Sequence, residues 1–221
     1  PRGLSCVDRY LSRIKQQYEK LNPTDKDFFD QEKLTNPYLD SGIHYDSGKE
    51  VKKILVGIDI DSADIIMAKN LGYDLVISHH PEGKGLTNLD EVMHLQADLL
   101  NATANVPINI AEGILRKRTA LIKRNLAGFN HYKVVDTAKL LDISFISTHT
   151  PSDNLVWYYL QEAINQKKPE YISELMEILD QIPEYQEGKK RGAGPTMFAG
   201  NLDNRTGKIA CTEITGGTSN D

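Results

Sequence analysis

Cysteine is scarce in this sequence of 221 residues, and long apolar runs are missing from it. The two cysteines, Cys6 and Cys211, lie far apart and in no metal-type spacing, which implies no disulfide framework and favours a reducing setting. No apolar run approaches the roughly 18 residues that span a bilayer, and the amino terminus has no apolar signal-peptide core. We therefore expect a cytoplasmic protein without a membrane partner.

An excess of positive charge is also absent. The chain carries 26 Lys and Arg against 31 Asp and Glu, a formal net charge of −5. Because binding to a phosphate backbone needs a basic face, this balance argues against nucleic acid as the main partner. The stretch R-K-R-T-A-L-I-K-R (116–124) is a local exception, and it favours the solvated face of an amphipathic helix.

Strands and helices alternate along most of the chain. A first helix is predicted over residues 4–21, ended by Asn22-Pro23, and residues 22–50 are predicted to form a long connection. The predicted strands then cover residues 54–60, 74–78, 106–110 and 143–147, and the predicted helices cover 63–71, 89–101, 112–126, 133–141 and 154–166. This alternation predicts an α/β fold in three layers, with a mostly parallel sheet flanked by helices. The continuous apolar run at 54–60 is typical of a strand buried on both faces.

The chain is predicted to divide into an amino-terminal segment and two related α/β lobes. The boundaries are 1–50 for the amino-terminal helix and long connection, 51–130 for the first lobe and 131–221 for the second. In the second lobe we expect a helix over 170–181, a Gly-rich loop over 188–195, and strands at 197–200 and 208–214. The closing T-G-G-T-S (215–219) is typical of a turn that opens a helix, so we expect the second lobe to be truncated.

Two adjacent histidines end the second predicted strand, in V-I-S-H-H-P-E-G (76–83). In open α/β sheets, ligands and active sites collect at the carboxyl ends of the parallel strands. Side chains alternate along a strand, so His79 and His80 converge only if the backbone turns, and Pro81 favours a turn. Because neutral imidazole is the commonest metal ligand, the pair predicts a metal site. The alternative is a pair near a helix N-terminus with one ring in solvent.

A later strand ends in the same way, in I-S-T-H-T-P-S-D-N (146–154). Parallel strands would bring His149 and Asp153 to the edge that carries the first pair, and Asp59, at the end of the first strand, would join them. Such mixed ligation suits Zn, Mn, Fe or Ni better than Ca or Mg. Asp59 could instead cap the following helix, and His149 could be a core residue. The histidines without such a context are expected at the surface or in packing: His44, His94 and His131.

With these motifs, the chain resembles the Nif-three-like family, the dinuclear-metal α/β proteins named for an NGG-one interacting factor. The resemblance covers residues 51–160, through G-I-D-I-D…D-L-V-I-S-H-H-P and H-T-P-S-D, and the tail G-A-G-P…T-G-G-T is similar to one branch of the family. It implies that His79, His80 and Asp153 ligate metal, with Asp153 as a bridge between two ions.

The resemblance has further implications for the site and the assembly. It implies that a His and a Glu or Asp from a carboxyl-terminal motif complete the site, whereas this sequence has no histidine after His149. It also implies a homo-oligomer in the form of a toroidal hexamer.

We expect a metal-dependent hydrolase in which two divalent transition-metal ions activate water. Asp59 and His149 would orient the metal-binding side chains in that case. Members of the family are commonly labelled GTP cyclohydrolase I, type two, so a nucleotide is a candidate substrate, although the chain has no P-loop or guanine-reading motif. A non-catalytic metal-binding regulatory or scaffold protein, acting through protein partners, is the alternative. Metal delivery or storage is a weaker third interpretation.

Overall fold

The computed structural model describes residues 4–211, and within them it places four strands in one sheet. The strands are β1 (Gly42–Tyr45), β2 (Ile54–Gly57), β3 (Leu75–Ser78) and β4 (Ser144–Ser147). Their order in the sheet is β1-β4-β3-β2, with β2, β3 and β4 parallel and β1 antiparallel to β4. The predicted α/β class with a mostly parallel sheet flanked by helices is confirmed. The two lobes and their boundaries stay predictions.

Helices account for most of the remaining described chain. The first six are α1 (Leu4–Glu19), α2 (Pro23–Asp27), α3 (Ser62–Asn70), α4 (Gly83–Thr87), α5 (Leu89–Val92) and α6 (His94–Ala104). The others are α7 (Ile108–Leu126), α8 (Lys133–Leu140), α9 (Thr150–Lys167), α10 (Ile172–Asp180) and α11 (Pro183–Lys190), and a 3-10 helix spans Gln31–Leu34. Among the residues that the structure describes, no helix has the length and apolar character needed to cross a membrane.

Helix α3 shows how local sequence sets the helix ends. The Asp61 carboxylate accepts hydrogen bonds from the backbone N–H of Ala63 at 2.6 Å and of Asp64 at 3.2 Å, and the Asp64 side chain accepts from the Asp61 N–H at 2.9 Å. This capping box satisfies N–H groups that have no partner inside the helix. The helix ends before Gly72, whose φ of 73° suits a residue without a Cβ. The helix predicted at residues 63–71 is confirmed.

The main core lies between one face of the sheet and helices α3 and α8. Val76 of β3 and Phe145 of β4 are fully buried, and they pack in one cluster with Ile65 of α3 and Val135 of α8. Complete burial of such a side chain contributes about 1.5–3 kcal/mol. The core therefore fixes β3 and β4, the two strands whose carboxyl ends carry the predicted metal motifs.

The interpretation of residues 54–60 as a strand buried on both faces is wrong. Strand β2 ends at Gly57 and lies at the edge of the sheet, with β3 as its neighbour. The Ile54 and Val56 side chains are 47% and 67% exposed, whereas Leu55 packs against the core on the opposite face. An apolar run indicates a strand, but it does not show how many neighbours the strand has.

The segment from residue 22 to residue 50 contains more structure than the predicted connection. Helix α2, the 3-10 helix and the edge strand β1 all lie in it. The four residues of β1 show no clear alternation, and the strand is stabilised by long-range pairing of Gly42 with Ser147 and of Ile43 with Ile146. A contact of this kind cannot be predicted from local pattern.

His44 of β1 is a packing residue, as expected. Its ring centroid lies 5.2 Å from that of Phe145, and its Nε2 is 2.8 Å from the Ser147 hydroxyl. Burial lowers the pKa of His44 to about 4. The ring is therefore neutral at physiological pH and contributes to the sheet as an uncharged group.

The strand predicted at residues 106–110 is also wrong, because this stretch enters helix α7. Pro107 precedes the helix, with a φ of −55°. Ala111 and Leu115 are buried four residues apart and pack against Ala97 of α6. The short alternation of V-P-I-N-I was therefore less informative than the helical spacing that continues beyond it.

The predicted strands of the tail are not formed in the described residues. Helix α11 continues to Lys190, inside the predicted Gly-rich loop, and residues 197–200 and 208–211 are irregular. Phe198 is 96% exposed, so no packing fixes an extended conformation there. The rest of the strand predicted at 208–214 and the T-G-G-T-S stretch lie outside the described residues.

Candidate metal centre

The parallel register brings the two histidine motifs to one edge of the sheet. Ser78 of β3 pairs with Ser147 of β4, and the pairing continues as the Thr148 N–H donates to the Ser78 carbonyl at 2.9 Å. His79 directly follows β3, and His149 lies two residues beyond β4. The two motifs therefore leave neighbouring strands at the same level, as the sequence predicts.

Three imidazole rings converge at this edge. The centroid of the His79 ring lies 4.9 Å from that of His149 and 5.3 Å from that of His80, and those of His80 and His149 are 5.9 Å apart. One ring nitrogen from each histidine lies within 4.8 Å of the other two. This His79/His80/His149 cluster could bind a metal ion.

A backbone turn lets the adjacent His79 and His80 point to one place. The His80 N–H donates to the Ile58 carbonyl at 2.9 Å, and the buried Ser78 hydroxyl donates to the His80 carbonyl at 2.7 Å. Gly83 follows with a φ of 54°, and a Cβ there would lie 2.8 Å from Val135. The turn therefore depends on the hydrogen bonds of the His80 backbone with Ile58 and Ser78, and on Gly83, which follows the turn.

In each of the three rings, Nδ1 has an acceptor of its own. His79 Nδ1 lies 3.1 Å from the Thr148 carbonyl, His80 Nδ1 lies 2.6 Å from Asp59 Oδ1, and His149 Nδ1 lies 2.8 Å from Asp40 Oδ2. An acceptor opposite Nδ1 holds the proton on that nitrogen and leaves the lone pair on Nε2. All three rings are therefore oriented to offer Nε2, which is the arrangement that metal-ligating histidines use.

Asp153 adds a carboxylate to the cluster. It lies in the first turn of α9, with Oδ1 at 3.3 Å from His79 Nε2 and Oδ2 at 3.6 Å from His149 Nε2. The helix N-terminus favours negative charge at this position. The two oxygens of Asp153 thus face two different histidines, which suits the bridging role that the resemblance implies.

The structure brings together all five residues that the sequence singled out. Asp59 contacts His80, and Asp61 caps α3, so the alternative in which Asp59 caps that helix is wrong. His149 is buried and supplies the third ring of the cluster. The division of His79, His80, His149 and Asp153 into ligands and supporting residues stays a prediction.

Asp40 is a buried residue of the site that the sequence interpretation missed. Its side chain is 0% exposed, and Oδ2 accepts hydrogen bonds from His149 Nδ1, from the Thr150 N–H at 3.1 Å and from the Thr150 hydroxyl at 2.5 Å. Burial lowers the pKa of His149, but the hydrogen bond and charge of Asp40, with the charge of Asp153, outweigh burial and raise it. Asp40 lies in the segment predicted as a connection, where no local signal marks it.

Glu82 was also missed, and it faces a cavity of about 510 Å³ beside the cluster. The polar rim of this cavity is formed by Asp59, His80, Glu82 and His149. Burial, together with the charge of Asp59, raises the pKa of Glu82 to about 7. A carboxyl group that exchanges its proton near neutrality therefore lies next to the candidate metal centre.

The fold and the cluster define an α/β protein with a histidine-rich candidate metal centre at the carboxyl edge of a parallel sheet. The family model described as Duf34/NIF3 (NGG1p interacting factor 3) matches residues 27–102. The chain is also similar to the crystal structure of a NIF3 superfamily protein from Sphaerobacter thermophilus, with 27% sequence identity and a TM-score of 0.68. Both comparisons therefore make this chain similar to NIF3 proteins over the parts that they match.

The extent of the structural similarity is unequal for the two proteins. The match covers 80% of this chain and 65% of the Sphaerobacter chain, so this chain spans slightly less than two thirds of its structural relative. No significant match was found among curated proteins.

We expect Asp40→Asn to lower the metal affinity by about 10–100-fold, because His149 loses the charged acceptor that fixes its tautomer and raises its basicity as a ligand. The measurement is a chelator competition titration with Zn²⁺ on the purified wild type and variant. The Thr150→Val variant is the matched control, since it removes a donor to Asp40 but keeps the hydrogen bond to His149. A Zn²⁺ affinity that falls equally in both variants would contradict a positioning role for Asp40.

We expect the Glu82 carboxyl of the metal-free protein to titrate near pH 7, because burial disfavours its charged form. The Asp59→Asn variant should lower this pKa by removing a neighbouring negative charge, while burial still holds it above the ordinary glutamate range. A carbon-13 NMR titration of the side-chain carboxyl measures both values. A wild-type midpoint in the ordinary glutamate range would show that water reaches the carboxylate freely.

Proposed function

We propose that the chain is a metal-dependent hydrolase whose centre is formed by His79, His80, His149 and Asp153. The observation that carries the proposal is the convergence of three imidazole rings beside a cavity: one ring nitrogen of each lies within 4.8 Å of the other two, and each Nδ1 has an acceptor. Three imidazoles are enough protein ligands for one four-coordinate ion that keeps its fourth position open for water. The two oxygens of Asp153 suit a bridge to a second ion, in line with the dinuclear centre that the resemblance implies.

The donor set fits a divalent transition metal such as Zn, Fe, Mn or Ni. When bound, such a metal supplies Lewis acidity toward water and toward a carbonyl, amidine or phosphoryl oxygen of a substrate. The protein itself contributes orientation, because Asp40, Asp59 and the Thr148 carbonyl hold the three rings. Burial raises the pKa of Glu82 to about 7, so this carboxyl group in the lining of the cavity can exchange a proton near neutrality.

A non-catalytic scaffold is the second candidate function. The exposed Ile54 and Val56 side chains of β2 and the exposed Ile43 of β1 favour it, because they lie on one face of the sheet and offer apolar surface to another chain. A homo-oligomer, such as the hexamer that the resemblance implies, belongs to this candidate. The open cavity beside the cluster favours the hydrolase over the scaffold, because a scaffold does not need a substrate-sized space next to its metal.

Elemental analysis and turnover assays test the proposal together. We expect the wild type to retain divalent transition metal after loading and desalting, and the His79→Ala/His80→Ala and Asp153→Ala variants to lose most of it. Hydrolysis of compounds from an ester, amide and nucleotide panel should fall by about 100-fold or more in both variants. The exposed His94 supplies a control, because His94→Ala removes an imidazole on α6 outside the cluster.

Two results would contradict the hydrolase. One is a wild type that stays metal-free after loading, and the other is hydrolysis that is unchanged in both cluster variants. Metal retained by the wild type without turnover of any panel compound would favour the scaffold.

A further inference from the structure

The cavity beside the candidate metal centre has an apolar wall in addition to its polar residues. The wall is formed by side chains of three helices and of the residue after α5: Leu86, Leu89, Met93, Ile122 and Leu126. Ile122 and Leu126 are one turn apart on α7, Leu89 begins α5, and Met93 follows α5 directly. A space of about 510 Å³ is within the range of small-molecule sites.

The lining of this cavity contains acidic residues and, among the described residues, no lysine or arginine. The acidic residues are Asp59 and Glu82. Two basic side chains of the adjoining helices form ion pairs with residues outside the lining, Lys123 with Asp90 at 3.0 Å and Lys84 with Glu32 at 3.1 Å. Sites for polyphosphates use Arg, Lys or a helix N-terminus. The N-terminal turn of α9 already holds the carboxylate of Asp153.

We propose that the substrate is an uncharged small molecule whose apolar or aromatic body lies against Leu89, Ile122 and Leu126 while its polar head reaches the histidine cluster. This inference rests on the proposed function, because it assigns a substrate class to the same site. Burial of an apolar group against the wall supplies binding free energy, and Asn125, at the edge of the wall, offers an amide for one directional hydrogen bond. The described lining has no lysine or arginine to pair with phosphate, and it includes the Asp59 carboxylate, so a nucleoside triphosphate is a poor match to the cavity.

Calorimetric titration of the zinc-loaded protein with two hydroxamates tests whether the apolar wall contributes to ligand binding. Acetohydroxamate and benzohydroxamate share a metal-binding head and differ in the apolar body. We expect benzohydroxamate to bind about tenfold more tightly, because its ring is buried against the wall. The Ile122→Ser and Leu126→Ser variants should each lose most of that advantage and keep the zinc content and the acetohydroxamate affinity of the wild type. Leu121→Ser is the matched control, since Leu121 lies on α7 but is exposed and outside the lining.

A comparison of GTP with guanosine tests whether the cavity disfavours the charge of a triphosphate, because the two compounds share the same nucleoside. Guanosine should bind at least as tightly as GTP, with the zinc content measured after each titration. Equal affinities for the two hydroxamates, or tighter binding of GTP than of guanosine, would overturn the inference and leave the proposed function standing. Failure to take up zinc, or acetohydroxamate binding that persists in the His79→Ala/His80→Ala variant, would overturn the proposed function and the inference with it.

Discussion

The parallel pairing of β3 with β4 determines the position of every histidine in the cluster. Ser78 and Ser147 are register partners, and the hydrogen bond from the Thr148 N–H to the Ser78 carbonyl extends the pairing past the strand ends. The Thr148 carbonyl then lies 3.1 Å from His79 Nδ1. A slip of one residue would turn the side chains of one strand to the opposite face and separate the rings. The core beneath, with Val76 and Phe145 fully buried, holds that register.

Asp40 connects this register to the edge strand. Its carboxylate is completely buried, a costly state unless hydrogen-bond donors compensate. His149 and Thr150 supply three of those donors, and the Ser41 hydroxyl lies 3.3 Å from Oδ1. Breaking a buried charge pair by removal of one partner typically costs about 3–5 kcal/mol. The same contacts that stabilise the β1 edge therefore orient the third ring of the cluster.

The sequence predicted the parts of the site that depend on strand ends. His79, His80, His149, Asp153 and Asp59 meet because the carboxyl ends of parallel strands coincide, and this follows from the α/β pattern and the two His-Pro turns alone. Local pattern did not reveal the residues whose role depends on distant partners. Asp40 contacts a residue 109 positions away, and the raised pKa of Glu82 comes from burial that only the fold creates.

The errors in the predicted secondary structure have related causes. The edge position of β2 depends on which strands pair, and an apolar run is compatible with an edge or a central strand. The strand predicted at 106–110 failed because the packing of Ala111 and Leu115 on α6 extends the helix back to Ile108. In both cases tertiary packing outweighed local preference.

The central claim is that an acceptor at the Nδ1 atom of each of the three histidines leaves its Nε2 atom available to bind a metal. Long-range proton–nitrogen NMR of the histidine rings tests it most directly, in metal-free and zinc-loaded protein at mildly alkaline pH. We expect Nδ1–H tautomers for His79, His80 and His149, with zinc shifting the Nε2 resonances of these three and leaving the Nδ1 protons in place. Zinc coordination through Nδ1, or unchanged ring resonances after zinc is added, would contradict it.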